Sequence, residues 1–250
     1  MKPVRYDRIG KGYAGYRQPE PTWVAQVNAA LGDAATIVNV GAGTGNYEPE
    51  SSNTSVVAVE PSVTMIEQRA ADASPAVRGV AEALPFPAGT FDAALGMLTV
   101  HHWTDQAAGL AELRRVSRRQ VLMVFEIPGK REFWLDHYFP EATEGQVELN
   151  APSPEFVGEH LDLVDVQIMW VPHDCADGVA AAYWRRPEAY LVPEVQQSMS
   201  FLALLTQKQR DEGTERLAEA LANGEWEERF GHLRERDVYD AGYRLAIAGD

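Results

Sequence analysis

The chain has 250 residues, of which 45% are hydrophobic and 24% are charged. These proportions are typical of a folded globular protein and exclude a fibrous or largely disordered chain. The formal net charge of −15 disfavours general nucleic-acid binding, because phosphate contacts require a positively charged surface. We therefore expect a folded protein that has no nucleic-acid partner.

The N-terminal segment combines aromatic residues, glycine and arginine ahead of the first predicted helix. Tyr13 and Arg17 lie within "YDRIGKGYAGYRQPEP". The helix is predicted over 19–33, where Trp23 and Val27 fall on one apolar stripe. Two interpretations remain open for the segment before it: a flap that closes over a ligand, or a packed N-terminal arm.

The sequence also bears on the compartment. It contains a single cysteine, Cys175, which excludes an internal disulfide and favours a reducing environment. The first residues have no apolar core of the kind found in signal peptides, and no later run approaches the length of a membrane span. We expect a cytoplasmic protein with no membrane partner.

Short apolar segments alternate with amphipathic ones over the first half of the chain. Strands are predicted at 37–40, 55–62, 76–81, 90–100 and 120–127, and helices at 63–73 and 106–119. This alternation is typical of a parallel sheet with helices on both faces. The predicted fold class is therefore α/β, with a mostly parallel sheet.

The pattern changes in the second half. A strand-like segment at 163–173 precedes a mainly helical, aromatic-rich region at 174–236, and a closing strand is predicted at 239–249. The expected organisation is an N-terminal flap and first helix at 1–34, an α/β core at 35–173, a helical cap insertion at 174–236 and a closing strand at 237–250.

Three glycines at alternate positions follow the first strand. Gly41, Gly43 and Gly45 suit a backbone that turns tightly or closely approaches a ligand. A glycine loop at the carboxyl end of the first parallel strand is typical of a nucleotide site. The dinucleotide fingerprint, however, needs a glycine where this chain has Asn46. A nicotinamide-dependent oxidoreductase is thus an alternative, although the spacing disfavours it.

Glu60 ends the second strand, within "VVAVEPS". A carboxylate in this place can accept hydrogen bonds from both hydroxyls of an adenosine ribose, and it repels a 2′-phosphate. The other interpretation is an acid that caps the helix after Pro61. The position of Glu60 relative to the glycine loop favours the ribose interpretation.

Four segments in this order resemble the class I S-adenosylmethionine-dependent methyltransferases, in particular the small-molecule, ubiquinone/menaquinone-methyltransferase-like type 11 group. They are "VNVGAGTGNY", "VAVEPSVTMIEQR", "GVAEALPFPAGTFDAALGMLTVHHW" and "AELRRVSR". The resemblance covers about residues 37–125 and implies a Rossmann-like class I methyltransferase fold. It also implies S-adenosyl-L-methionine as the cofactor.

The resemblance assigns a set of residues to the cofactor. The glycine loop would approach the methionyl part, Glu60 the ribose, and Pro61 and Ala81 the adenine. Relatives often carry aspartate where this chain has Val80, so recognition of the adenine amino group would pass to Glu82 or to water. The implied cofactor residues are Tyr13, Arg17, Gly41, Ala42, Gly43, Gly45, Glu60, Pro61, Ala81, Glu82, Met97 and His102.

His101 and His102 are the candidates for a general base, because imidazole titrates near neutrality and follows the fourth strand. Adjacent residues are expected to point in different directions, so we expect at most one to face the acceptor. The other interpretation is that one packs on the cofactor and one caps the next helix. Two neighbouring histidines with no third ligand nearby do not predict a metal site.

The leading hypothesis is an enzyme that transfers a methyl group to the O, N or C atom of a small metabolite, with aromatic metabolites among the candidate acceptors. The alternative is an S-adenosylmethionine-binding protein that does not methylate, such as a regulator or a scaffold for another reaction, because no residue is a compelling base. The sequence does not determine the acceptor or the oligomeric state.

Overall fold

The computed structural model describes residues 17–126, 133–143 and 151–250. The strands are β1 Thr36–Val40, β2 Ser55–Val59, β3 Ala76–Val77, β4 Phe91–Met97, β5 Ser117–Phe125, β6 Leu163–Ile168, β7 Val171–Pro172, β8 Val238–Tyr239 and β9 Tyr243–Gly249. The α-helices are α1 Pro21–Leu31, α2 Val63–Glu67, α3 Gln106–Val116, α4 Leu135–Tyr138, α5 Pro140–Thr143, α6 Pro154–Gly158, α7 Pro193–Ser198, α8 Ser200–Ala203, α9 Gln207–Asn223 and α10 Glu225–Phe230. Short 3₁₀ turns occupy Val100–His102, Pro187–Leu191 and Gly231–Glu235.

A seven-stranded sheet in the order β3-β2-β1-β4-β5-β9-β6 forms the centre of the fold. The pairs β3–β2, β2–β1, β1–β4 and β4–β5 are all parallel. Ile37 and Val38 are both buried, and neighbouring strand residues point to opposite faces, so both faces of β1 are covered. This confirms the predicted Rossmann-like α/β fold. The carboxyl ends of β1, β2 and β4 therefore meet at one edge.

Helix α1 begins and ends at the signals that the sequence carries. Pro21 occupies the first turn, and the Glu20 side chain caps it by accepting a hydrogen bond from Thr22 N. Gly32 ends the helix with a φ of 63°, a conformation that favours glycine. Trp23 and Val27 lie on its buried face, as predicted.

The junction of α3 and β5 differs from the prediction. The helix ends at Val116, and Ser117 already begins the strand, so Arg118 and Arg119 are strand residues rather than helix residues. Because the helical pattern continued past Val116, the sequence did not mark this boundary. The guanidinium groups are used within the fold: Arg118 pairs with Asp92, and Arg119 donates to Ala30 O and Asp250 O.

Several other elements are shorter than predicted. Helix α2 ends at Glu67 rather than near residue 73, and β3 has two residues. The predicted closing strand is two strands, because Gly242, with a φ of 91°, accommodates a turn between β8 and β9. The predicted strand at 163–173 likewise divides into β6 and β7, and β7 pairs with β8 in a separate antiparallel sheet.

The described chain divides into two compact units. Unit 1 comprises the described residues up to Phe125 together with Pro152–Gln167 and Arg244–Asp250, and it contains most of the large sheet. Unit 2 comprises the described residues of 126–151 and Ile168–Tyr243. It therefore contains the late helical region, but it begins before residue 174 and includes an earlier segment of the chain.

The core of unit 2 is aromatic. Trp134 packs with Tyr190 and Trp226, with ring centroids 5.4 Å apart in both pairs, and Trp184 stacks on Tyr239 at 5.2 Å. These large side chains are buried, which accounts for the aromatic-rich composition of this region. Among the helices of the described residues, none is long and apolar enough to cross a membrane.

Candidate functional site

The glycine loop forms a tight turn at the carboxyl end of β1. Gly41, Gly43 and Gly45 have φ values of 68°, 52° and 92°, in the region that side chains disfavour. The amides of Gly41 and Ala42 both donate to Val59 O, at 2.8 and 3.2 Å. These two bonds fix the turn against the end of β2. The half-buried backbone of the turn is thus held at the sheet edge where nucleosides bind in open α/β folds.

Glu60 is joined directly to this turn. Its Oε2 accepts a hydrogen bond from Gly43 N and its Oε1 accepts one from Ser62 N, both at 2.9 Å. Glu60 is only 5% exposed, and it follows β2 without interruption. Ser62, rather than Glu60, caps α2, since its Oγ accepts from Met65 N. An ionised carboxylate is an acceptor with about four lone-pair sites, so its chemistry fits the two vicinal hydroxyls of a ribose.

The residues after the turn lack the following helix of a dinucleotide fold. Residues 41–54, all of which the structure describes, are turns and irregular chain, and no helix begins there. A pyrophosphate in a dinucleotide fold is held by the N-terminus of the helix that follows the glycine loop. The observed turn therefore suits an adenosine without a pyrophosphate, such as that of S-adenosylmethionine, better than a dinucleotide.

The carboxyl end of β4 contributes Thr99 and Leu98. A side chain at Gly41 would overlap Thr99 Oγ1, so this glycine is required by the approach of β4 as well as by its φ. Leu98 has a φ of 50°, which is uncommon for a residue other than glycine. Neither residue was predicted from the sequence. No local pattern identifies Thr99, because its role depends on where the fold places Gly41.

His101 and His102 lie on the 3₁₀ turn that follows β4. Their ring centroids are 3.9 Å apart with an interplanar angle of 55°, so the two imidazoles lie together. The expectation that they point apart was wrong, because it applies to an extended strand and not to this turn. His101 is buried and packs edge-on against Phe125 at 5.0 Å, whereas His102 is half-buried. Asp105, not a histidine, caps α3, by accepting from Ala108 N.

The segment expected beside the adenine is anchored to α3. Ala81 is buried, and Glu82 Oε1 accepts from Thr104 N at 2.7 Å and from Asp105 N at 3.1 Å. Glu82 therefore holds the chain just before α3. Pro61 is half-buried directly after Glu60.

A pair of α3 side chains, which was not predicted from the sequence either, holds the same segment. Glu112 Oε2 accepts from Leu84 N at 2.8 Å, and Arg115 donates to Leu84 O and Phe86 O. The hydrogen bond from Arg115 lowers the pKa of Glu112, and the same bond raises the pKa of Arg115. Their spacing of three residues on a helix is the signal that a sequence offers for such a pair.

The remaining predicted cofactor residues occupy different places. Met97 is the last residue of β4 and is half-buried. The carbonyl oxygen of Arg17 accepts from Asn46 Nδ2 at 3.0 Å, so the backbone of residue 17 lies beside the glycine turn. Tyr13 lies outside the described residues. The structure therefore brings together the glycine turn, Glu60 and the end of β4.

The fold and this site define a class of protein: an α/β protein in which a glycine turn and a buried carboxylate meet at the carboxyl ends of the first parallel strands. A family model described as a methyltransferase domain matches residues 38–125. No curated protein matches the chain.

Solved structures are also similar to the chain. A candidate methyltransferase of an antibiotic biosynthesis pathway from Anabaena variabilis is 31% identical with a TM-score of 0.84, over 94% of this chain and 99% of that one. The fold is shared by a candidate sarcosine dimethylglycine methyltransferase from Galdieria sulphuraria, at 13% identity, a TM-score of 0.57 and 96% coverage of both chains. It is also shared by a geranyl diphosphate C-methyltransferase from Streptomyces coelicolor, solved with S-adenosyl-L-homocysteine, at 15% identity, a TM-score of 0.50 and coverage of 92% and 78%.

The chain belongs to the class I S-adenosylmethionine-dependent methyltransferases. Both the family model and the extensive similarity to the Anabaena protein support this membership. The predicted family, enzyme class and cofactor are thereby confirmed. The ubiquinone/menaquinone-like subgroup stays a prediction.

Proposed function

We propose that the edge formed by β1, β2 and β4 holds S-adenosylmethionine, and that the enzyme transfers its methyl group to a small molecule. One observation carries the proposal: the nearly buried Glu60 carboxylate is bound to Gly43 N, within the glycine turn. This bond couples an acceptor suited to ribose hydroxyls to backbone that lies at the sheet edge. In this arrangement Glu60 binds the ribose, and Gly41 to Gly43 face the methionyl part.

Adenine would lie beside Ala81 and Pro61, whose segments flank the end of β2. Glu82 anchors its segment through the amides of Thr104 and Asp105 and would fix the position of Ala81. Met97 would contact the cofactor from the end of β4. Tyr13 and Arg17 belong to the proposed flap over the cofactor.

Methyl transfer from a sulfonium is an in-line displacement, so the protein mainly has to align the acceptor and exclude water. S-adenosylmethionine supplies the activated methyl group when it is bound. A base is needed only if the acceptor carries a proton. Of the two histidines, we propose His102 for this role, because His101 is buried against Phe125 whereas His102 is more exposed.

One relative supports the acceptor class. The Anabaena variabilis protein is described as a methyltransferase from an antibiotic biosynthesis pathway, and it is similar over nearly the whole of both chains. This supports a small metabolite as the acceptor. The methylated atom, whether O, N or C, depends on that acceptor. A cytoplasmic location and the absence of a nucleic-acid partner stay predictions from the sequence.

Isothermal titration calorimetry with S-adenosylhomocysteine, S-adenosylmethionine and NAD tests the cofactor assignment. We expect one site for each of the first two ligands and none for NAD. Binding of NAD alone would overturn the proposal in favour of an oxidoreductase. Release of S-adenosylhomocysteine with a panel of small hydroxyl, amine and activated-carbon acceptors then tests the reaction. Tight cofactor binding without turnover on any acceptor would favour the non-methylating alternative.

A further inference from the structure

A buried ion pair lies behind the glycine turn. Arg69 Nη2 and Glu48 Oε2 are 2.7 Å apart, and the two side chains are 5% and 7% exposed. Removing two charges from water is costly, and an apolar pair of similar volume is often at least as stable. A buried pair at this position therefore calls for an explanation beyond stability.

Arg69 also reaches the turn itself. Its Nη1 donates to Gly43 O at 3.2 Å, and its Nη2 donates to both oxygens of Glu48 and to Ser74 O. Asn39, a buried polar residue of β1, donates from Nδ2 to Glu48 Oε1 at 3.0 Å. The guanidinium is thus oriented by a carboxylate that is itself fixed to the sheet.

Gly43 is consequently held from both sides. Its N–H donates to Glu60 Oε2, and its carbonyl accepts from Arg69. The residue that is proposed to bind ribose and the buried guanidinium therefore act on the same residue of the turn. A displacement of Gly43 would remove a hydrogen bond that orients Glu60.

The third glycine of the loop fits the same explanation. A side chain at Gly45 would place its Cβ 3.0 Å from Arg69 Nη1 and 3.2 Å from Glu48 Cδ, and the φ of 92° disfavours a side chain there. Gly45 therefore leaves space for the ion pair. This accounts for the glycine without any contact between Gly45 and a ligand.

We propose that Arg69 is a positioning residue for cofactor binding, which fixes the Gly43 backbone and, through it, the Glu60 carboxylate. Glu48 and Asn39 orient Arg69, and none of the three touches the cofactor in this account. The inference rests on the proposed function, in which Glu60 binds the ribose.

The test compares cofactor affinity with stability in four variants. Arg69→Met leaves Glu48 as an unpaired buried charge, so it lowers both quantities. The double variant Glu48→Gln plus Arg69→Met removes both charges and restores much of the stability, but Gly43 O still lacks its donor. Arg69→Lys keeps a charge beside Glu48 but cannot reproduce the planar fork of donors. Arg114→Met, which removes the exposed pair with Asp162, is the matched control.

Calorimetry with S-adenosylhomocysteine and thermal unfolding are the two measurements. We expect the double variant to unfold at a higher temperature than Arg69→Met, yet to bind about tenfold more weakly than the wild type. Arg69→Lys should weaken binding with little change in unfolding temperature, and the control should change neither.

If the double variant and Arg69→Lys bind S-adenosylhomocysteine as tightly as the wild type, cofactor affinity depends only on stability. That result would overturn the inference and leave the proposed function intact. If the double variant does not fold, Arg69→Lys alone decides between these outcomes. A wild-type protein that does not bind S-adenosylhomocysteine would instead refute the proposed function, and the inference with it.

Discussion

At the scale of single residues, Glu60 combines three properties that seldom occur together: a carboxylate, burial and hydrogen bonds to two backbone amides. We predict that Glu60→Ala weakens S-adenosylhomocysteine binding by about 1–3 kcal/mol, because a charged hydrogen-bond partner of the ribose is lost. Titration calorimetry measures this directly. Glu67→Ala, at an exposed position of α2, is the control and should bind as the wild type does.

His101 and His102 are expected to have different roles. We expect His102→Ala to retain cofactor affinity and to lose about 10²–10⁴-fold in turnover if the acceptor carries a proton, the usual contribution of a general base. His101→Ala should mainly lower the unfolding temperature, because it removes a buried ring that packs on Phe125. Steady-state kinetics with an acceptor that supports turnover distinguishes a base from a packing residue. Unchanged turnover in the His102 variant would reject a base at this position.

At the scale of elements, the amino ends of β1 and β4 are joined by Asp92. Its Oδ2 accepts from Thr36 N at 2.9 Å and from Thr36 Oγ1 at 2.8 Å, and its other oxygen pairs with Arg118. These bonds, led by the hydroxyl of Thr36 and then the guanidinium, lower the pKa of Asp92 from 3.8 to about 2. The carboxylate thus helps to fix the register of the two strands that carry the site.

The sign of the pH dependence follows from this shift. A pKa that is lower in the folded state gives a contribution to stability that is complete above pH 3.8 and is lost as the pH falls towards 2. We predict that Asp92→Asn lowers the unfolding temperature at pH 7 and reduces the loss of stability between pH 4 and pH 2. Thermal unfolding of the variant and the wild type between pH 7 and pH 2 tests this prediction. Asp72→Asn, at an exposed position, is the control. An unchanged acid profile would contradict the assignment.

Element boundaries show where local patterns are sufficient. Helix α1 could be predicted closely because Pro21, the apolar stripe and Gly32 are all local signals. The end of α3 could not be, because its pattern continues past Val116 while tertiary pairing with β4 takes Ser117 into β5. Helix α2 also ended earlier than its pattern predicted, at Glu67, and Arg69 just beyond it pairs with Glu48.

At the scale of the whole molecule, the sequence was sufficient to predict a mostly parallel sheet with the glycine turn and Glu60 at the ends of its first two strands. Strand ends and glycines are local features of a sequence. The sequence was not sufficient for contacts between distant segments. Thr99 against Gly41, Arg69 against Gly43 and Glu112 against Leu84 each depend on how separate elements pack. Unit 2 likewise joins two separate stretches of the chain, so its extent depends on contacts between residues that are distant in sequence.

A crystal structure of the enzyme with S-adenosylhomocysteine would show where the nucleoside lies. We predict that both ribose hydroxyls lie within hydrogen-bond distance of the Glu60 carboxylate, with the adenine beside Ala81 and the glycine turn against the homocysteine part. A ligand bound away from the glycine turn, or a ribose that makes no contact with Glu60, would contradict the account.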